Sequence, residues 1–99
     1  MKKMRIDDKL IKEWKDRNPG KDIFLITVDD KGCVLRSPGR QDLSYASVVK
    51  DPMKMNEVLV NQLWVAGDEE MRTDDSLFMA LCNKLEEVLK VKDAEIKKL

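Results

Sequence analysis

Ninety-nine residues suffice for one domain around one small core, since domains commonly take ~100–200 residues and folding at this size hides ~60–65% of the chain's surface. Lysine and arginine total 19, as do aspartate and glutamate. That balance argues against a nucleic-acid binder working by counterion release and against a polybasic membrane-surface protein. Histidine is absent, which removes the commonest general base near neutral pH and the commonest metal ligand.

The N-terminus, Met1-Lys2-Lys3-Met4-Arg5, is followed by Asp7, Asp8 and Lys9 rather than an apolar run, so no signal peptide is expected and the cytoplasm is the expected compartment. The first element, within residues 1–20, is expected to be a short amphipathic helix. Asp7 is placed to cap it, and Ile6 and Ile11 flank the cap as a hydrophobic staple. Leu10, Ile11 and Trp14 share one face, and Pro19-Gly20 ends the helix.

Residues 22–36 read as a β-hairpin. Residues 22–28 are β-branched and aromatic, and Cys33 to Arg36 return after Asp29-Asp30-Lys31-Gly32, with glycine expected to supply the positive φ. An isolated hairpin is marginal in water, so helices must cover one of its faces. Ser37-Pro38-Gly39-Arg40 breaks the sheet, and residues 40–66 are expected to hold two helices. The first carries Leu43, Ala46 and Val49 at helical spacing, with Tyr45 beside them. The second starts at Asp51-Pro52, where proline fits the first turn, and runs from Met53 to Val65 with Met55, Val58, Leu59, Leu63 and Trp64 on a broad apolar face. Trp64 is therefore expected to be mostly buried.

Residues 68–75 form an acidic loop, with Thr73 or Asp74 placed to cap a final long helix over residues 74–99. From about Asp75 to Lys98 such a helix would measure roughly 36 Å and overhang a domain of ~13 Å radius of gyration. Phe78, Cys82, Leu85, Leu89, Lys92, Ile96 and Leu99 repeat as a heptad seam broken by one lysine. The fold class expected from these elements is α+β, a two-stranded antiparallel hairpin packed on three to four helices in a single domain.

Nothing in the pattern names a reaction. The acid pairs Asp7-Asp8, Asp29-Asp30, Glu69-Glu70, Asp74-Asp75 and Glu86-Glu87 fall at caps, turns and solvated faces rather than in a cleft. Isolated glycines form no phosphate loop, and the serines lack a histidine partner. Cys33 and Cys82 cannot build an ordinary zinc site without histidine. Their apolar neighbours favour buried free thiols over a disulfide or a catalytic thiol. The expectation is a non-enzyme without cofactor or metal. Candidate protein-contact residues are Tyr45 and Trp64 among the aromatics, and Lys92, Ile96 and Leu99 at the end of the seam, where a homo-oligomer could form. Residues 1–17, with seven bases and four acids, give a nucleic-acid partner its only local support.

Read in order, the chain has a hairpin leading into Arg36-Ser37-Pro38, a helix containing Tyr45-Ala46, a helix ending Leu63-Trp64-Val65-Ala66-Gly67-Asp68, and a lysine-rich end, Glu95-Ile96-Lys97-Lys98-Leu99. Over about residues 20–99 this order resembles the small tail assembly chaperones of long-tailed bacteriophages and prophages. The resemblance implies an α+β protein without catalytic or cofactor residues. Such a protein would bind the apolar tape-measure protein and recruit tail-tube subunits in the bacterial cytoplasm. It also implies a longer frameshifted form, with which Lys97-Lys98 is compatible. Without the resemblance, the same features fit a small homo-oligomeric adaptor.

Overall fold

The computed structural model describes residues 7–90 and 94–99. The hydrophobic staple falls partly outside them, because Ile6 is not among the described residues. Helix α1 (Asp8–Arg17) begins where the Asp7 carboxylate accepts from the Leu10 N–H at 2.8 Å, satisfying one of the donors that every helix N-terminus leaves open. Asn18 closes it, and Gly20 follows at φ 76°.

Strands β1 (Ile23–Val28) and β2 (Lys31–Arg36) form the hairpin, with Ile23 opposite Arg36 and Val28 opposite Lys31. The turn is thus two residues, and its positive φ belongs to Asp29 at 55° rather than to Gly32. A short carboxylate side chain tolerates that region. Gly32 lies inside β2, opposite Thr27.

The expectation of a two-stranded sheet is corrected by β3 (Trp64–Gly67), which pairs antiparallel with β2 and gives the order β1-β2-β3. Residues Trp64 to Val65, expected at the end of a helix, belong to this strand. Two hydrogen bonds and one missing side chain fix it. The Asp68 N–H donates to the Gly32 carbonyl and the Gly32 N–H donates to Asp68 Oδ2, both at 2.9 Å. Gly67 sits at φ 140°, where a Cβ would lie 2.5 Å from Cys33 Cα and 2.7 Å from the Gly32 carbonyl oxygen. Only glycine lets the two backbones approach this closely. Gly67-Asp68 is therefore the clasp of the third strand.

Helix α2 (Arg40–Ser47) and helix α3 (Pro52–Leu63) pack against each other. Asp51 caps α3, its carboxylate accepting from the Met53 N–H at 2.9 Å, with Pro52 at the first position. The short helix α4 (Glu70–Thr73) lies within the segment expected as an acidic loop. Two short helices, α5 (Asp75–Cys82) and α6 (Leu85–Leu89), stand where a single long helix was expected over residues 74–99. Asp74 caps α5 through the Leu77 N–H at 3.0 Å. The continuous seam fails at Asn83-Lys84, where the Lys84 N–H turns back to the Leu81 carbonyl at 2.9 Å. The break lets Phe78, Leu81, Leu85 and Val88 all reach the core, while Cys82 and Leu89 are half-buried. Ala94–Leu99 have no regular secondary structure and are exposed, and Lys92 lies outside the described residues.

The main core joins one sheet face, Ile26, Cys33 and Leu35, to Val60 and Leu63 of α3, Met71 of α4, Phe78 and Leu81 of α5, and Leu85 and Val88 of α6. Fully burying aliphatic side chains of this kind contributes ~1.5–3 kcal/mol each. On the opposite sheet face the Trp14 ring of α1 is buried, beside a cleft of about 330 Å³ that Ile11, Ile23, Leu25 and Val34 also line. The chain is an α+β structure, with α1 on one side of the sheet and the main core on the other.

Candidate protein-contact surface

The orientation of α2 is set by one ion pair. Arg36, at the end of β2, donates from Nη1 to Asp42 Oδ2 at 2.8 Å and from Nη2 to Asp42 Oδ1 at 3.0 Å. The same guanidinium reaches the Gln62 carbonyl at 3.0 Å and the Ser37 carbonyl at 3.3 Å. Gln62 lies in the last turn of α3, where carbonyls lack intrahelical partners and positive charge is favoured. Asp42 Oδ2 also accepts from the Gly39 N–H at 2.8 Å, which closes the first turn of α2. The hydrogen bond from Arg36 comes first among the influences that hold the Asp42 carboxyl below its ordinary 3.8. One arginine thus binds the hairpin, α2 and the end of α3 together.

With Asp42 and Ala46 buried on the inner side of α2, the side of the helix roughly opposite carries Gln41, Ser44, Tyr45 and Val48. Their spacing, i, i+3, i+4 and i+7, is that of a contact stripe for a second helix. None of these four residues carries a formal charge at neutral pH. Tyr45 is 57% exposed and Val48 77% exposed. Together with Ser47, the four line an open cleft of about 510 Å³. The Tyr45 hydroxyl has no hydrogen-bond partner among the described residues. Leu43, expected on a buried face, is instead exposed, as is Met53 at the start of α3.

No family model, curated protein or solved structure matches this chain.

The residues singled out from sequence do not form one site. Tyr45 stands on the α2 stripe. Trp64, expected to be mostly buried, is half-buried where α3 passes into β3, and its ring packs against the core. The Arg72 guanidinium lies 3.9 Å from the ring centroid, and Arg72 also holds Asn61 Oδ1 at 3.2 Å and the Glu69 carboxylate. That cover makes Trp64 part of the packing between α3, β3 and α4. Ile96 and Leu99 are fully exposed on the segment without regular structure, and the cleft beside Tyr45 includes neither them nor Trp64 in its lining. Val48, Gln41 and Ser44 were not anticipated as contact residues. Their spacing relative to Tyr45 was the available signal, and only the burial of Asp42 shows which way it faces.

Both cysteines are free thiols. Cys33 is fully buried, and burial pushes its pKa up to about 12. Burial also raises that of Cys82. Neither has the low-pKa environment of a nucleophile. Among the described residues, no three Cys, Asp or Glu side chains are grouped so that they could hold a metal ion. No helix among them is long and apolar enough to cross a membrane.

Proposed function

We propose that this chain is a non-catalytic protein-binding chaperone of phage tail assembly, which holds an apolar helical segment of the tape-measure protein on the outer stripe of α2. One observation carries the reading. Among the residues behind the resemblance, Arg36 ties three elements together and Gly67-Asp68 clasps the third strand. The Pro38 carbonyl accepts from Lys21 Nζ at 3.3 Å. Tyr45 has no such structural duty and stands exposed on an uncharged stripe. A tyrosine on a rigid helix offers a large contact area and a polar tip at little entropic cost, which suits a reversible protein contact.

The helical spacing favours a helical occupant, laid along α2 by the apolar residues that repeat on one of its faces. The test is co-expression with a phage tape-measure protein from the same genome. The wild-type chain should keep that protein soluble and co-purify with it. Tyr45→Ala combined with Val48→Asp should lose both properties while the melting temperature stays within a few degrees, since both side chains are largely exposed. Unaltered co-purification by the double variant would remove the α2 stripe from the reading. Failure of the wild type to bind would remove the chaperone function itself.

A further inference from the structure

The two edges of the sheet are built differently. Strand β3 is four residues long and its pairing with β2 is interrupted by a register shift at Val34/Leu35, devices that discourage further strand pairing. Strand β1 is six residues, Ile23-Phe24-Leu25-Ile26-Thr27-Val28, with no charge, no proline and no register irregularity. An exposed edge of that composition is a template for another strand.

The hydrogen-bond parity of β1 follows from its closure. The Ser37 N–H donates to the Asp22 carbonyl at 2.9 Å, so Asp22 and, at steps of two, Phe24, Ile26 and Val28 point their backbone groups at β2. Ile23, Leu25 and Thr27 therefore point theirs outward, and these groups have no partner among the described residues. Grooves with apolar side chains in their lining flank the edge on both sides. On the core side, Phe24, Ile26, Lys84, Glu87 and Val88 border an open groove of about 260 Å³ between β1 and α6. On the other side, Leu25, 50% exposed, borders the cleft under Trp14.

We infer that the β1 edge pairs with β1 of a second copy of this chain, antiparallel about a two-fold axis through Leu25. In that register Ile23 faces Thr27 of the second copy and Leu25 faces its own counterpart. Every outward-pointing residue then exchanges both of its hydrogen bonds. Phe24 falls opposite Ile26 of the second copy on the core side, an aromatic and β-branched pair of the kind that stabilises sheets. The charges at the ends agree. Lys21 falls opposite Asp29 of the second copy, while the strand between them carries no charge to repel its twin. Among the described residues Lys21 Nζ donates to the neutral Pro38 carbonyl at 3.3 Å, and its charge also acts on Asp42. The pairing doubles the three-stranded sheet and fills both apolar margins. It leaves the α2 stripe outside the interface and does not depend on what that stripe binds.

The test is the oligomeric state of the full chain by sedimentation and light scattering, with circular dichroism confirming the fold of each variant. The wild type should form a concentration-dependent dimer in which the Ile23, Leu25 and Thr27 amides gain protection from hydrogen exchange. Leu25→Lys and Leu25→Glu should each be monomeric, because like charges meet on the two-fold axis. An equimolar mixture of the two should dimerise. Some outcomes overturn the inference: a wild type that stays monomeric at every soluble concentration, or single variants that dimerise like the wild type. So does a dimer lost in a chain ending at Lys90 but kept by Leu25→Lys, which would place the contact in the terminal segment.

Discussion

Replacing Arg36 by methionine keeps much of the alkyl stem and removes the guanidinium. Asp42 is then left with the Gly39 N–H alone, and the Gln62 carbonyl loses its donor. Breaking a buried pair by removing one partner costs ~3–5 kcal/mol. With side-chain exposures of 21% for Arg36 and 8% for Asp42, the lower end applies, ~3 kcal/mol, within a total stability of about 5–15 kcal/mol. Each kilocalorie moves the melting temperature of a domain this size by about 4–8 °C, so the expected fall is roughly 12–24 °C. Urea titration should show the same loss as a lower midpoint at an unchanged slope. Acid supplies an independent check. Because the folded Asp42 pKa lies below its ordinary 3.8, its contribution is fully present above that value. It disappears as pH falls through the lower, folded value. The gap in stability between wild type and Asp42→Asn should therefore narrow below pH 3.8 and stay wide at neutral pH. A loss under ~1 kcal/mol for Arg36→Met, the value of an ordinary surface pair, would refute the role given to this arginine.

Gly67→Ala should destabilise by at least ~1–3 kcal/mol, from backbone strain and the clash with Cys33. In stopped-flow chevrons the change should fall mainly on the unfolding limb, and a neutral effect would show that β3 is not clasped there. Under native conditions at mildly alkaline pH, Ellman's reagent should leave Cys33 unmodified until urea unfolds the chain, since its thiol is buried with a pKa of about 12. Rapid reaction of both cysteines would contradict that. Arg72→Ala should cost about 1 kcal/mol and shift tryptophan emission to the red, because it uncovers Trp64 while Trp14 stays buried. An unaltered spectrum would mean that the guanidinium does not shield the ring.

Local chemistry was legible in the sequence, and tertiary choices were not. The cap at Asp7, the helix start at Asp51-Pro52, the cap at Thr73 or Asp74 and the hairpin strands follow from short-range rules, and the structure bears them out with Asp74 as the cap. Strand β3 escaped notice because Leu63-Trp64 continue a helical spacing. Trp64 and Val65 suit a strand and Ala66 and Gly67 do not, and pairing with β2 holds the segment extended. The last helix was overextended for a related reason. A periodic apolar pattern specifies which residues go inside, but not whether a straight rod can deliver them to a curved sheet. The break at Asn83-Lys84 does so instead. At the candidate surface Tyr45 was identifiable as an aromatic on a short helix. Its exposure depends on Arg36 drawing Asp42 inward across the Ser37-Pro38-Gly39 turn, while the same guanidinium reaches the distant Gln62 carbonyl, and helical spacing alone encodes neither contact.

The clasp between Gly32 and Asp68 spans 36 residues of chain, whereas the hairpin joins neighbours across a two-residue turn. Hairpins close in ~1–10 μs, while distant contacts must first overcome the entropy of gathering the chain between them. For that interval β2 has no third strand beside it, and the young hairpin presents two unprotected edges to any chain nearby. Arrival of Asp68 closes one of them. The sheet thus leaves its most association-prone stage with one long, regular edge, that of β1, and the short, irregular edge of β3.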